Sequence, residues 1–420
     1  MSRESVDQHR LKNGLKLVVR QEKALPLVGV ALYYEVGARD EVEGKTGFAH
    51  LFEHLMFEGS AHVEKGAHFS LIAGLGGQIN ANTTHERTLY YASLPANQID
   101  VVLWMEADRM RSLKVTEESF EHQRKTVLEE RKQRVDNVPY GLAREKFSEM
   151  CFQGSPYSHP VIGYEADIVS ASFRDVQSFH SSWYRPERAT LSIAGDVDPE
   201  VVLRRAEEWF GDIPSGVFPG ESRHHDPAPP KAQKAIVADP LARLSKVMIS
   251  HPAPSYGQAD FYAFEMAETI LLRGPSSRAW RRLVLDEQLA VGLAGGFTAR
   301  RCASRFVLSA TVERPEHMDR VVEVWQREID LLVSDGVSDS EWNKALNQIR
   351  ASHIYSQQGI LAQAISQGRY SLMLDDPCWD RDYLSALENL KVKEVLEVLR
   401  RYLDAGKRME MHAVARGGVS

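Results

Sequence analysis

The amino-acid sequence predicts an α+β protein made of two similar halves, each a largely antiparallel sheet packed with helices. The chain has 420 residues, which is too long for a single domain with one ordinary hydrophobic core. Several strand-like segments follow one another without a helix between them, which favours α+β over a doubly wound parallel sheet. The order of strands and helices in the first half also recurs in the second half.

The first half alternates strand-like and helical segments. An Asn13-Gly14 turn opens the first strand, and a loop from Gly44 to Gly47 leads into a helix that is apolar almost all round. Apolar, β-branched and aromatic residues predict strands at 15–19, 27–34, 88–94 and 189–194. Helical spacing of apolar residues predicts helices at about 97–110, 117–135 and 199–210.

A proline-rich stretch separates the two halves and has no apolar period, which is typical of a linker. We therefore expect a first domain at 1–214, a linker at 215–232 and a second domain at 233–420. In the second domain, strands at 246–250 and 305–312 lie on either side of a helix at about 261–272 in the sequence. Helical stretches are predicted from Glu316 to the end of the chain.

Composition excludes several classes of protein. A content of 43% hydrophobic and 26% charged residues is that of a folded soluble protein, and the net charge of −7 indicates no nucleic-acid partner. No apolar run reaches the roughly 18–20 residues of a membrane span, and the N-terminus lacks the apolar segment of a signal peptide. We expect a soluble protein of the cytoplasm, or of the periplasm if a signal peptide has been removed. The three cysteines are too widely spaced to predict a disulfide framework or a cysteine-based zinc site: Cys151, Cys302 and Cys378.

The most informative motif is the pentad His50-Leu51-Phe52-Glu53-His54. Histidines four positions apart lie on one side of a helix, and Glu53 projects close to the same side. Neutral imidazole is a good zinc ligand, and a nearby carboxylate can accept a proton from water that the metal has activated. The order H-x-x-E-H is that of one class of zinc proteases. Hydrogen-bonded core histidines are the alternative that the pentad alone leaves open.

A catalytic zinc ion usually has three protein ligands, so a third must come from outside the pentad. The acidic helix predicted at 117–135 is the obvious source. Helix periodicity places Glu130 at the edge of its buried side and Glu129 away from it, whereas Gln123, seven residues earlier, lies near Glu130. Geometry therefore favours Glu130 among the candidates, which are Glu117, Glu118, Glu121, Glu129 and Glu130. A solvated helix face is the alternative for each of these glutamates at this point.

The chain resembles the inverzincin (M16) metallopeptidases, the family of pitrilysin and the mitochondrial processing peptidase, along nearly all of its length. In that family a glutamate ligand follows the last histidine of the pentad by about 76 residues, and Glu130 stands 76 residues after His54. Further family-like stretches are Gly76–Thr83 with Thr88–Tyr91, Tyr184–Ala189, Ile193–Asp196, Trp209–Pro214, Leu272–Arg278 and Asp286–Ala290.

The resemblance implies half of a clam-shell peptidase of the small-subunit branch, in which two chains close around a chamber. It implies one Zn²⁺ per chain held by His50, His54 and Glu130, with Glu53 as the catalytic base of a zinc metalloendopeptidase (EC 3.4.24 type). It also implies that a peptide substrate lies as an added strand beside Asn80, Ala81 and Asn82. From sequence alone, an ordinary turn at these three positions is the alternative.

Two departures from the family pattern concern substrate binding and the metal site. Members that complete their own substrate site carry an arginine and a tyrosine seven residues apart in the second half, where this chain has Val284 and Val291. The chain therefore resembles the zinc-bearing half of a heterodimer whose sibling supplies that pair. Arg281 and Arg282 lie near the position of the missing arginine, but the helical repeat directs them to other sides of the helix and disfavours them as its replacement. Gln123 stands where many relatives have a glutamate that assists the metal site from outside the ligand set.

Two other functions remain as alternatives at this stage. A non-catalytic structural or core subunit of the same family would have no use for an intact pentad with Glu130. A metal-buffering protein would need exposed or multiple sites, and the sequence shows one. Metal analysis of the purified protein distinguishes the structural subunit from a peptidase.

Overall fold

The structure, a computed structural model, describes residues 6–216 and 231–416. Its strands are β1 (Val6–Arg10), β2 (Lys16–Gln21), β3 (Leu27–Tyr34), β4 (Gln78–Thr83), β5 (Thr88–Pro95), β6 (Ala189–Gly195), β7 (Gln233–Asp239), β8 (Ser245–Pro252), β9 (Gly292–Thr298), β10 (Arg305–Val312) and β11 (Met409–Ala415).

The α-helices, in chain order, are α1 (Phe48–Leu55), α2 (Ala67–Gly74), α3 (Ile99–Ser112), α4 (Glu117–Arg131), α5 (Gly141–Cys151), α6 (Glu165–Ser170), α7 (Phe173–Trp183), α8 (Pro199–Phe210), α9 (Phe261–Leu271), α10 (Arg278–Trp280), α11 (His317–Asp335), α12 (Asp339–Ser356), α13 (Ile360–Leu374), α14 (Tyr383–Asn389) and α15 (Val392–Tyr402). Two π-helical turns follow α4 and α10, at Lys132–Asp136 and Arg281–Asp286. No helix of the described ranges is both long and apolar enough to span a bilayer.

Contacts within the chain define two compact units. Among the described residues, the first unit comprises 6–130, 159–216 and 354–381, and the second comprises 131–158, 231–353 and 382–416. The domain division at 214 and 233 stays a prediction, and most of the predicted linker, 217–230, lies outside the described residues. Segment 131–158 comes from the first part of the chain but belongs to the second unit by its contacts. Segment 354–381 comes from the last part of the chain but belongs to the first unit.

The first unit contains a six-stranded sheet in the order β1-β2-β6-β3-β5-β4. Its one parallel pair is β2 with β6, and its other neighbouring strands are antiparallel. β3 is buried on both faces, because Val30 and Leu32 contact the main core whereas Ala31 and Tyr33 contact the side covered by α13. β4 lies at one edge of the sheet.

The close packing of α13 on this sheet depends on small residues and polar anchors. A Cβ atom at Gly368 would lie 2.6 Å from the Tyr33 ring, and one at Gly29 would lie 2.7 Å from the Leu361 backbone. The Tyr33 hydroxyl donates a hydrogen bond to the Ile365 carbonyl (2.6 Å), and the Ser192 hydroxyl donates one to the Ala364 carbonyl (2.6 Å). These contacts leave the opposite face of the sheet for α1 and its neighbours.

The second unit contains a five-stranded sheet in the order β7-β11-β8-β10-β9. Here too one pair is parallel, β7 with β11, and the other neighbours are antiparallel. Helix α5 packs against β11, and their shared core includes Phe147, Met248 and Met411. The predicted fold class is thereby confirmed: both halves have a largely antiparallel sheet packed with helices.

The structure corrects the sequence prediction at two places. The described chain ends in strand β11 rather than in helix, because residues 409–415 are all buried and form an interior strand that pairs with β7 on one side and β8 on the other. Residues 80–82 belong to a regular strand, so the turn alternative for them is wrong. Strands β1, β4, β7 and β9 were not predicted, because each lies at the edge of a sheet and has at most a short apolar run in its sequence.

Candidate metal centre

Helix α1 carries the pentad and is preceded by a residue in a left-handed backbone conformation, which only glycine adopts easily. Gly47, the residue before the helix, has φ 90°, and a Cβ atom there would lie 2.7 Å from the Ile162 carbonyl oxygen. The first amide groups of a helix have no partner within the helix. Here the buried carboxylate of Glu41 accepts hydrogen bonds from the amides of Gly47 and Ala49, each at 2.8 Å.

Glu41 also contacts His159, whose Nε2 lies 3.0 Å from a carboxylate oxygen. Burial raises the pKa of Glu41, and the hydrogen bonds to His159 and the two amides oppose that rise. The imidazole and the helix amides therefore compensate a carboxylate that has been removed from water. Sequence reasoning missed Glu41, because a lone glutamate in a loop carries no recognisable capping signal.

The apolar side of α1 anchors the helix in the core of the first unit. Leu51, Phe52 and Leu55 are buried, and the Phe52 ring stacks on those of Phe179 and His180. The two pentad histidines lie together on a different side, with ring centroids 5.0 Å apart. Their relative placement thus follows from the four-residue spacing and from the burial of the remaining face.

Helix α4 brings Glu130 to the two histidines. One carboxylate oxygen of Glu130 lies 3.7 Å from His50 Nε2, and the other lies 3.3 Å from His54 Nε2. One ligand atom from each of the three residues lies within 4.8 Å of those of the other two. Each of the other acidic candidates of this helix is exposed or is paired elsewhere: Glu117, Glu118 and Glu129 are exposed, and Glu121 is paired with Arg124.

The geometry of this group fits a zinc ion. Two ligands at about 2.0–2.2 Å from a tetrahedral zinc lie about 3.3–3.6 Å apart, close to both nitrogen-to-carboxylate distances. The nitrogen and oxygen donor set is also one that zinc accepts.

Glu53 lies beside this group and has a perturbed pKa. Burial raises the pKa of Glu53 above its ordinary value of 4.5, and the nearby Glu130 carboxylate raises it further. A hydrogen bond with Thr83 and the charges of His54 and Arg87 act in the opposite direction. The result is a half-buried carboxylate that is more basic than one in water.

Strand β4 carries the predicted substrate-binding residues at the edge of the first sheet. Asn80 and Asn82 pair with Tyr91 and Leu89 of β5, and among the described strands β4 has a neighbour on this side only. Arg87 donates a hydrogen bond to the Asn82 carbonyl (2.9 Å), which stabilises the end of the strand. β4 also packs against α1, so this edge lies close to the pentad.

Gln123 contacts the segment that follows α1. Its amide donates a hydrogen bond to Glu58 Oε1 at 2.6 Å, and the other oxygen of Glu58 lies 2.8 Å from the ammonium group of Lys65. Glu58 lies four residues after His54, so this contact ties α4 to the end of the pentad helix. Gln123 thus helps to position α4 through Glu58.

A second group of potential ligands lies in the second unit, where Asp319, Glu410 and His412 approach one another. The ammonium group of Lys234 lies 3.1 Å from Glu410 and also pairs with Asp319. His412 Nε2 lies 2.8 Å from Glu410. A lysine already supplies the positive charge, so this group is an ion-pair network.

Val284 and Val291, which the sequence resemblance places at the positions of the family's arginine and tyrosine, also lie in the second unit. Val291 is 55% exposed, and Val284 is partly buried in the π-helical turn. Arg282 is paired with Glu328 (3.0 Å) and Asp286 (3.6 Å), whereas Arg281 is exposed. The guanidinium of Arg282 is thus already engaged by two carboxylates.

Comparison with known protein families decides the relationship. Residues 17–165 match the family described as insulinase (peptidase family M16), and residues 170–349 match the peptidase M16 inactive domain. The chain belongs to the M16 peptidase family. The resemblance inferred from the pentad and Glu130 is thereby confirmed at the level of the family, and the second half corresponds to the domain described as inactive.

Individual relatives agree with this assignment. The chain is 30% identical to the zinc protease PqqE of Helicobacter pylori over 284 residues, which cover 67% of this chain and 64% of that protein. It is 23% identical over 399 residues to a zinc protease of Rickettsia bellii, with 95% of each chain covered. The crystal structure of a protease from Helicobacter pylori superposes with a TM-score of 0.93 at 25% identity, covering 98% of this chain and 99% of that one.

Proposed function

We propose that this M16 chain is the metal-bearing subunit of a zinc-dependent endopeptidase that cleaves peptides or unfolded polypeptide segments. The observation that carries the proposal is the convergence of His50, His54 and Glu130 beside Glu53, whose pKa is raised. The names of the bacterial relatives, which are zinc proteases, support the same activity.

The residues of the site divide the chemical work among them. His50, His54 and Glu130 would hold the zinc ion, which when bound supplies a Lewis acid that polarises a peptide carbonyl and lowers the pKa of water. Glu53 accepts the proton of the attacking water and returns it to the leaving amine.

The substrate chain would add to the sheet along β4. An edge strand offers backbone amide and carbonyl groups that bind an extended peptide with little dependence on its side chains. Asn80, Ala81 and Asn82 are the positions that would pair with the substrate backbone. Close packing of β4 against α1 would bring the scissile peptide bond to Glu53.

The role of Glu53 is tested by the variant Glu53→Gln. We expect it to keep its zinc and to lose cleavage of a quenched fluorescent peptide by about 10²- to 10⁴-fold, because the amide cannot accept the proton. Zinc content is measured by elemental analysis of the purified protein. The matched control is Glu129→Gln, which changes an exposed carboxylate of α4 and should leave both quantities unchanged. Near-normal turnover by Glu53→Gln would exclude Glu53 as the base.

We further propose that a sibling subunit completes the substrate site. Val284 and Val291 supply neither the guanidinium nor the phenol that self-sufficient relatives carry, and Arg282 is engaged by Glu328. A heterodimer in which a homologous subunit carries the arginine and tyrosine would restore both groups. Without that partner the chain would bind substrate weakly even with the metal site filled.

The partner requirement is tested by comparing the isolated chain with the chain mixed with such a homologue. We expect at least about a tenfold increase in kcat/KM on mixing, since each missing contact to a charged or polar group is worth about 1.5–3 kcal/mol. The double variant Val284→Arg/Val291→Tyr tests whether the chain can supply the pair itself. Full activity of the isolated wild-type chain would remove the need for a partner, whereas zinc-free protein without activity would favour a structural subunit.

A further inference from the structure

A cavity in the second unit combines buried positive charge with apolar walls. Its volume is about 220 Å³, and it lies between α5 and strands β8, β9 and β10. Four apolar side chains form much of its wall: Phe147, Phe152, Met248 and Val307. Arg144, Arg300 and Arg305 also line it, and no aspartate or glutamate is among the lining residues.

The most buried of these arginines is Arg305, which is 4% exposed. One end nitrogen of its guanidinium donates to the Cys151 carbonyl at the end of α5. The Nε and Nη1 atoms have no protein acceptor within hydrogen-bonding distance among the described residues, and no described carboxylate forms an ion pair with this side chain. A buried guanidinium without a counter-charge is costly, which indicates that an anion belongs beside it.

The residues that line the cavity around Arg305 add positive charge, and none of them is an aspartate or a glutamate. The Arg300 guanidinium lies 4.2 Å from the centroid of the Phe152 ring, which holds it at the cavity wall. Burial raises the pKa of the Cys151 thiol to about 11, so this side chain is neutral near pH 7. An anion that enters the cavity therefore meets the buried Arg305 guanidinium, and no aspartate or glutamate among the lining residues repels it.

We propose that this cavity binds a small organic carboxylate with an apolar tail, such as a medium-chain fatty acid. The carboxylate contacts Arg305, and the tail lies against Phe147, Met248 and Val307. The size is suitable, because a cavity of about 150 Å³ already binds benzene. An inorganic anion would leave the apolar wall uncovered, whereas a neutral hydrocarbon would leave the guanidinium uncompensated.

The site is tested by isothermal titration calorimetry of the full chain with octanoate. We expect one saturable site per chain, no comparable binding of octylamine, and binding of octanol and of acetate that is weaker by at least about tenfold. Octanol lacks the charge that Arg305 recognises, and acetate lacks the tail. Equal affinity for octanol and octanoate, or no saturable octanoate site up to millimolar concentration, would overturn the proposal.

Two variants separate ligand binding from a merely structural role of Arg305 at the end of α5. Arg305→Gln should weaken octanoate binding by at least about tenfold. Val307→Phe keeps the arginine but fills the cavity, so it should abolish binding while circular dichroism and thermal unfolding stay close to wild type. Lys146→Gln, an exposed position on α5 outside the cavity, is the matched control. Undiminished binding by a folded Val307→Phe variant would place the ligand elsewhere and refute the assignment.

A peptide with a C-terminal leucine tests the other source of the same chemistry. If the free-carboxylate peptide binds more tightly than octanoate and its amidated form does not bind, the cavity is a peptide C-terminus site and the fatty-acid assignment is wrong. If both peptides bind more weakly than octanoate, the result supports a fatty acid as the ligand. Because all these measurements are of binding in the second unit, their outcome is independent of peptidase activity.

Discussion

Helices α1 and α9 follow central strands of their respective sheets, yet only α1 carries polar ligands. The α1 sequence contains His50 and His54, whereas α9 has no histidine, and no residue of α9 belongs to a cluster of potential metal ligands among the described residues. Most residues of α9 are buried, and many of these are apolar, including Phe264 and Met266. The comparison teaches that the architecture of each half does not require a metal site, so the pentad is there for another reason than folding.

The beginnings of the two helices differ in the same sense. Buried Glu41 binds the first amides of α1, whereas Asp260 before α9 makes no cap hydrogen bond and pairs with the exposed Arg401 at 2.6 Å. A buried acceptor fixes the start of a helix more firmly than a solvated ion pair does. The site-bearing helix is therefore the more precisely positioned of the two.

The largest effect is expected when α1 is made as apolar as α9. In the triple variant His50→Leu/His54→Leu/Glu130→Gln, zinc content should fall to background and peptide cleavage should be lost. The metal-free variant should be as stable as metal-free wild type, or more stable by about 1–2 kcal/mol, because no unpaired charge remains. Urea unfolding with a chelator in both samples measures this.

The single variant His54→Leu is the control for that experiment, because it leaves Glu130 with one imidazole fewer. It should lose zinc and also be less stable than the triple variant. A triple variant that cannot fold without zinc would mean that the metal site is needed for the architecture, contrary to the comparison of the two helices.

A smaller effect is expected at the start of α1. Replacing Glu41 by glutamine removes the charge that binds two helix amides and His159, and should lower the free energy of unfolding by about 1–3 kcal/mol. The matched change Asp260→Asn at α9 should cost no more than about 1 kcal/mol, since its partner Arg401 is exposed. Equal losses in urea unfolding of the two variants would show that the two helices begin equally firmly.

The smallest effect concerns the loop before α1, which Lys45 ties to α7 through Asp175 at 2.5 Å. The Lys45 contact, with help from Ser172, lowers the pKa of Asp175 from 3.8 to about 2. The pKa of Asp175 is lower in the folded than in the unfolded state, so the unfolded state takes up the proton first as pH falls. The contribution of Asp175 to the free energy of unfolding is therefore present above about pH 4 and lost as pH falls toward 2.

We expect this partly exposed pair to contribute less than about 1 kcal/mol to the free energy of unfolding at pH 7. The stability difference between wild type and Asp175→Asn, measured by urea unfolding, should shrink from pH 5 to pH 3. A difference that does not change with pH would mean that Asp175 contributes through its neutral hydrogen bonds.

Much of the candidate site was accessible from the sequence because it depends on local periodicity. The four-residue spacing of His50 and His54 defines a common side of any helix, and the buried side of α4 separates Glu130 from Glu129. The neighbours that perturb the site escaped prediction. Glu41, Thr83 and Arg87 reach α1 or β4 from loops and strand ends, and no sequence spacing reports such contacts.

The sequence by itself determined the pentad, the membership of the family, the α+β class and the presence of valine at positions 284 and 291. Tertiary structure decided which polar groups surround the pentad, that β4 is an edge strand, and that Arg305 is buried beside an apolar cavity. The physical reason is that periodicity along the chain encodes which face of an element is apolar. Which elements meet, and which polar groups are thereby removed from water, depends on packing among segments far apart in sequence.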